Sequence, residues 1–166
     1  MKQLKIIIII LLLGINKSIP TIDNSIVKEK KEQTDIFGTL IINKIHLKEV
    51  LYPIESEKNT IEKHVTILEK STPPTEEKGI LLLAAHSGTG KIAYFEELDE
   101  LKEKDEIIIH YQKKDYKYMV KDIWEEEKTG FIHINKEEKK QLVLTTCSPK
   151  KKNIQLIVNC VEKESN

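Results

Sequence analysis

Leu142-Val143-Leu144-Thr145-Thr146-Cys147-Ser148-Pro149 is the stretch on which the reading of this chain turns. Apolar and β-branched residues run without interruption, as strands do, and the run ends on a cysteine before Ser148-Pro149-Lys150 turns the chain away. A strand end is a rigid platform with one free side, which suits a nucleophile. Gly79-Ile80-Leu81-Leu82-Leu83-Ala84-Ala85-His86 is built the same way, and the turn-forming Ser87-Gly88-Thr89-Gly90 follows it. A continuous apolar run of this length predicts a strand buried on both faces. Two such tips on neighbouring strands would bring an imidazole to a thiol, and a nearby imidazolium or other cation favours the thiolate. Taken singly, Cys147 also reads as a packed structural residue and His86 as a core or turn residue. His46, His64, His110 and His133 lack such a setting and read as surface or strand positions.

Working outward, Phe37–Ile45 and Val50–Ile54 predict strands, the second cut short by Pro53, while Ile61–Leu68 is ambiguous. Ile92–Leu101 carries Phe95, Leu98 and Leu101 at helical spacing and predicts one or two turns. Glu106–Tyr111 and Tyr116–Trp124 predict a hairpin with its tip at Lys113-Lys114-Asp115. Glu125–Lys128 reads as a charged loop, Phe131–Ile134 as a short strand and Ile154–Val161 as the last strand. Seven or eight short strands without a repeat point to a mainly β domain, a closed or nearly closed barrel or a sandwich. Closure would also hide edges that otherwise invite aggregation.

The 27 basic residues, all lysine, balance 27 acidic ones. With no net charge and no basic block rich in aromatics, nucleic acid is not an expected partner. Cys147 and Cys160 are the only cysteines; they read as a disulfide or as free thiols, and two cysteines cannot complete a tetrahedral zinc site. The acidic stretches Glu55–Glu57 and Glu125–Glu127 read as solvated charge before they read as a calcium loop, so no metal or other cofactor is expected. At the N-terminus Lys2 and Lys5 precede an unbroken apolar run, Ile6–Leu13. Residues 1–20 therefore predict a signal or membrane anchor, with residues 4–15 in the membrane; 21–35 predict a polar stalk and 36–166 the folded domain. The domain is then expected outside the cell, held at the membrane by a single N-terminal segment.

Together these segments resemble the sortases, the cell-wall cysteine transpeptidases of bacteria, from about Phe37 to Val161. Gly38-Thr39-Leu40-Ile41-Ile42-Asn43-Lys44-Ile45 resembles the family's opening strand, with Asn43 where proline is usual. Leu83-Ala84-Ala85-His86-Ser87-Gly88 is similar to its histidine motif, with Ala85 where glycine is commoner. Leu142–Cys147 is similar to its Thr-Leu-x-Thr-Cys motif, and Phe95–Asp105 to the segment after the histidine. The family's arginine, on the strand after the cysteine, has Gln155 in its place, and Lys151 or Lys152 is a nearby cation.

The resemblance implies a sortase-like closed β-barrel of seven to eight strands with one or two short helices, preceded by the anchor. It implies Cys147 as nucleophile, His86 as its acid–base partner and Gln155 as a weaker donor to the oxyanion, with Thr146, Ala85 and Ser87 against the substrate. The substrate implied is a sorting signal similar to Leu-Pro-x-Thr-Gly, cleaved between Thr and Gly through a thioester and passed to an amine of peptidoglycan or of a pilin. Two other readings stay open: a sortase-fold binding or structural protein, and an L,D-transpeptidase-like acyltransferase. The latter usually has a Ser-x-Gly-Cys setting that Thr145-Thr146-Cys147 does not supply.

Overall fold

Residues 35–164 are described by a computed structural model. Eight strands follow one another: β1 (Gly38–Ile42), β2 (Leu47–Leu51), β3 (Thr66–Ile67), β4 (Ile80–Ala84), β5 (Glu106–Tyr111), β6 (Lys114–Glu127), β7 (Gln141–Cys147) and β8 (Ile154–Glu162). They form one sheet in the order β2-β1-β5-β6-β8-β7-β4-β3, curled into a nearly closed barrel with β2 and β3 at its two margins. The expected anchor, and the stalk apart from Asp35, lie outside the described residues. Among the described residues no helix is long and apolar enough to cross a membrane.

The barrel is filled from one face of each strand. Leu81 and Leu83 of β4, Ile107 and Ile109 of β5, Leu142 and Leu144 of β7, and Leu156, Val158 and Cys160 of β8 all belong to the buried core. Their odd-even neighbours Val143 and Ile157 are equally buried but lie on the other face, outside that core. That is why β7 and β8 carry apolar residues at both odd and even positions. Gly38 opens β1 where the backbones crowd: a Cβ there would lie 2.5 Å from the His110 carbonyl oxygen, so a side chain would push β1 off β5.

Several expectations are corrected. The strand expected over Phe37–Ile45 stops at Ile42, and Asn43–Ile45 forms a single 3-10 turn. The second strand lies at Leu47–Leu51 instead of Val50–Ile54. The helix expected over Ile92–Leu101 is a series of turns ending in a 3-10 turn at Leu98–Glu100. Bonds from Leu98 N–H to Phe95 O and from Leu101 N–H to Leu98 O, both 3.3 Å, step by three residues. Phe95, Leu98 and Leu101 are thus buried one above another with the 3-10 period of three, not the α period of 3.6. The hairpin tip is Gln112-Lys113, both with positive φ (48° and 65°), one position earlier than Lys113-Lys114-Asp115. Glu125–Glu127 is no loop but the end of β6, and Phe131–Ile134 is no strand.

The long β6 changes faces part-way. Val120 pairs with Cys160 and Asp122 with Asn159, so Lys121 is an extra residue in a β-bulge. Before the bulge Tyr116, Tyr118 and Val120 face the core; beyond it the odd-numbered Ile123 packs against the core instead. A one-residue slip moves every later side chain to the opposite face. Trp124, Glu126 and Lys128 thereby fall on the outer side of the barrel wall.

Candidate active site

Three neighbouring strands bring the expected residues into one row. β4 and β7 run parallel, with Ala84 abreast of Thr145. The pairing continues past the end of β4, where the Ala85 N–H donates to Thr145 O (3.3 Å) and Thr146 Oγ1 donates to Ala85 O (2.8 Å). His86 follows Ala84 by two residues as Cys147 follows Thr145 by two, and Ser87 Oγ donates to the Cys147 carbonyl (2.8 Å). Ser87 therefore ties the turn after His86 to the cysteine, and the Phe95 N–H binds the His86 carbonyl at 3.0 Å from the other side. On the other flank, Cys147 pairs with Gln155 of β8, and Gln155 pairs with Glu126 of β6. Cys147, Gln155 and Glu126 thus lie abreast on three adjacent strands, with His86 two residues beyond the end of β4 on the other side of Cys147.

Within that line the cysteine is the exposed member of β7, whose other six residues are all buried. Cys160 is a free thiol as well, fully enclosed in the barrel, where burial pushes its ionisation far above the usual thiol range. The two cysteines point to opposite faces, and Cys147 stands five residues along the ladder from Leu142, which pairs with Cys160. That spacing amounts to roughly 16 Å, beyond the reach of a disulfide. The disulfide reading of this pair is overturned.

Gln155 is buried next to the cysteine, but its amide is already engaged. Nε2 donates to Glu126 Oε1 (3.0 Å) and to the Phe131 carbonyl (2.7 Å). Burial pushes the Glu126 carboxyl up, yet the hydrogen bonds from Trp124, the His133 N–H, Gln155 and the His133 ring prevail and hold it below the ordinary carboxylate range. These bonds fasten the segment between β6 and β7 to the outer wall beside the row. Gln141 extends the fastening, donating to Asn135 O (2.9 Å) and to Asn159 Oδ1 (3.1 Å).

The cation at the thiol is one that sequence reasoning did not single out. Lys128 Nζ donates to Cys147 Sγ at 3.3 Å. Lys151 is committed to Glu125, at 2.5 Å, and no bond from Lys152 reaches the cysteine. The signal was present in the charged run Glu125–Lys128, which reads as solvated until the bulge at Lys121 is known. Glu125 is held below the ordinary carboxylate range by hydrogen bonds from Lys151 and Ser148. It is part of the β7–β8 turn's bracing, and among the described residues no group of three His, Cys, Asp or Glu side chains gathers to hold a metal.

A family model of the sortase domain matches residues 40–163. The chain belongs to the sortase family. Its members are cysteine transpeptidases, and its fold is the sortase fold. Solved structures of other sortases are similar throughout the barrel. Sortase C1 from Streptococcus suis is 25% identical with a TM-score of 0.69, covering 86% of this chain and 81% of that one. Sortase C1 from Streptococcus agalactiae is 28% identical with a TM-score of 0.68, over 81% and 70% of the two chains. Sortase C from Clostridium perfringens SM101 is 27% identical with a TM-score of 0.64, over 79% and 71%. No curated protein sequence matches this sortase.

Proposed function

We propose that this sortase is an active transpeptidase that uses Cys147 and His86 on a sorting signal similar to Leu-Pro-x-Thr-Gly. The observation that carries the reading is the parallel β4–β7 pairing, whose strands lead to His86 and to Cys147, the one exposed residue of β7, and whose ends are joined by the bond from Ser87 to the Cys147 carbonyl. In the first half-reaction the Cys147 thiolate attacks the threonine carbonyl, the carbonyl electron pair moves to oxygen, and the C–N bond then breaks as His86 protonates the departing glycine amine. The product is a thioester. In the second half-reaction an acceptor amine attacks that thioester, His86 takes its proton, and the thiolate leaves. The acceptor is an amine of peptidoglycan or of a pilin. Thr146, Ala85 and Ser87 shape the floor on which the threonine of the signal lies, and residues 4–15 hold the enzyme at the outer face of the membrane. No metal takes part in this scheme.

The bonding of Ser87 and Thr146 supports the reading: both hydroxyls are spent in tying the two strand tips together. These bonds fix the backbones that carry the thiol and the imidazole, which limits the reorganisation that proton transfer between them requires. Incubating the folded domain with a Leu-Pro-x-Thr-Gly peptide and recording the intact mass should show a covalent acyl adduct. The Cys147→Ala protein should show none. An adduct of equal yield on that variant, or none on the wild-type chain with any amine-blocked sorting peptide, would overturn the reading.

A further inference from the structure

We propose that Lys128 is a catalytic residue of this site, the cation that pairs with the Cys147 thiolate and then holds the oxyanion formed on the substrate carbonyl. The inference rests on the functional reading above and supplies what that reading lacks. The chain contains no arginine. At the strand position where the resemblance places one, Gln155 spends its amide on Glu126 and Phe131 O. That leaves the reaction without a fixed positive charge from β8.

The ammonium of Lys128 is delivered from a different strand. Its Nζ is 3.3 Å from Cys147 Sγ, and among the described residues it has no carboxylate partner, whereas neighbouring Lys150 and Lys151 are committed to Asp99 (3.0 Å) and Glu125 (2.5 Å). The backbone is held as well: the Lys128 N–H donates to Asn153 O at 2.9 Å, just before β8 begins. The bulge at Lys121 decides that this side chain emerges on the cysteine's face. During attack the negative charge moves from sulfur to a carbonyl oxygen bonded to the same carbon. A point charge on a flexible four-carbon stem can follow that shift over a short distance, where a rigid fork would have to be preset. A positive donor that meets the charge developing on the carbonyl oxygen commonly contributes strongly to such catalysis.

Lys128→Met removes the charge and keeps the length; Lys128→Arg restores the charge; Lys152→Met removes an exposed neighbouring charge as a control. Two rates are read on each: alkylation of Cys147 by iodoacetamide at neutral pH and low salt, and acyl-adduct formation with the sorting peptide. Lys128→Met should slow alkylation about 3- to 10-fold, as loss of one exposed opposite charge beside a thiolate predicts. Acylation should fall about 100-fold. Lys128→Arg should recover most of both, and Lys152→Met should match the wild type. Equal alkylation and acylation rates in Lys128→Met and wild type would overturn the assignment to Lys128 while leaving the transpeptidase reading in place. If the wild type forms no adduct, the functional reading falls, and the alkylation series still decides whether Lys128 acts on the thiol.

Discussion

The β7–β8 ladder holds a thiol at each end, and the two could hardly be treated more differently. Cys160 pairs with Leu142 at one end and lies sealed among Leu142, Leu144 and Val158 in the core. Cys147 pairs with Gln155 at the other end and is exposed, with an ammonium on its sulfur and a hydroxyl on its carbonyl. Both sit on strands rich in apolar residues, broken on β8 by Gln155 and Asn159. Parity along the strand is what separates them: even positions of β7 and β8 fill the barrel and odd positions face its outer wall. The outer wall is itself covered by the β6–β7 segment except at the tip. A thiol therefore becomes chemically available only where an odd position coincides with the strand's end.

The two thiols should differ most in their effect on turnover. Cys147→Ala should abolish acyl transfer, by about 10⁴-fold or more as for other deleted nucleophiles. Cys160→Ala should stay within about twofold of wild type once corrected for folded fraction, because the core thiol touches no reacting atom. A comparable loss from Cys160→Ala, in a variant shown folded by circular dichroism, would mean that the buried end communicates with the site. Thiol accessibility is the next test. A disulfide reagent should titrate one thiol rapidly in the native protein and the second only when the barrel opens, slower by roughly 10³-fold or more if opening is global. Rapid reaction of both would show the barrel to be far looser at the Cys160 end than its packing indicates.

What the sequence conveyed and what it withheld divide along the same physical line. The runs 79–86 and 142–147 are legible because unbroken apolar composition marks a strand. β7 is buried on both faces up to Cys147, whereas in β4 Ile80 and Leu82 are only partly buried, so that run is buried fully on one face alone. The parallel pairing of these two runs brings the segments that carry His86 and Cys147 to the same end of the sheet. Features that depend on backbone conformation without a marker residue stayed hidden. The hairpin tip uses Gln112 and Lys113 in left-handed conformations that Asn-Gly would have announced. The bulge at Lys121 carries no glycine or proline, so nothing in the sequence showed that Glu126 and Lys128 change faces. The run 131–134 has strand composition, yet Phe131 is 73% exposed and its segment is held by side chains, not by a ladder. Gln155 was located by resemblance, and its role as an anchor for that segment follows only from the bulged register that sets Glu126 beside it.

A smaller effect tests the buried thiol by polarity. Cys160→Ser places a hydroxyl in a core that offers it no marked partner, which should cost about 1–3 kcal/mol and lower the melting temperature by roughly 3–8 °C. Cys147→Ser, at the exposed end, should remain within about 0.5 kcal/mol of wild type. If the two serine variants melt alike, the difference in burial between the ends of the ladder is not expressed in stability.

The smallest expected effect concerns the clamp between the two ends, and its sign is fixed by the ionisation of Glu126. Its carboxyl is held below the ordinary range by hydrogen bonds that outweigh the opposing effect of burial. A group whose folded pKa is depressed contributes stability that is complete above its unfolded value and is lost as pH falls through the folded one. Acid should therefore loosen the segment that Gln155, Glu126 and His133 fasten to the wall. The His133 ring lies 3.2 Å from Glu126 Oε2 but faces solvent. In Glu126→Gln the side chain no longer titrates and still offers Gln155 an amide oxygen. Its stability should be lower than wild type at neutral pH by about 1 kcal/mol, in keeping with the loss of charge-assisted hydrogen bonds. The gap should close as pH falls below the ordinary carboxylate range. Hydrogen exchange across residues 128–140, followed in both proteins along the same pH series, locates the effect. Faster exchange confined to this segment in acid, seen in wild type and flat in Glu126→Gln, is the expected result. A gap that persists unchanged in acid would show that the carboxylate's charge is not what fastens the segment beside Cys147.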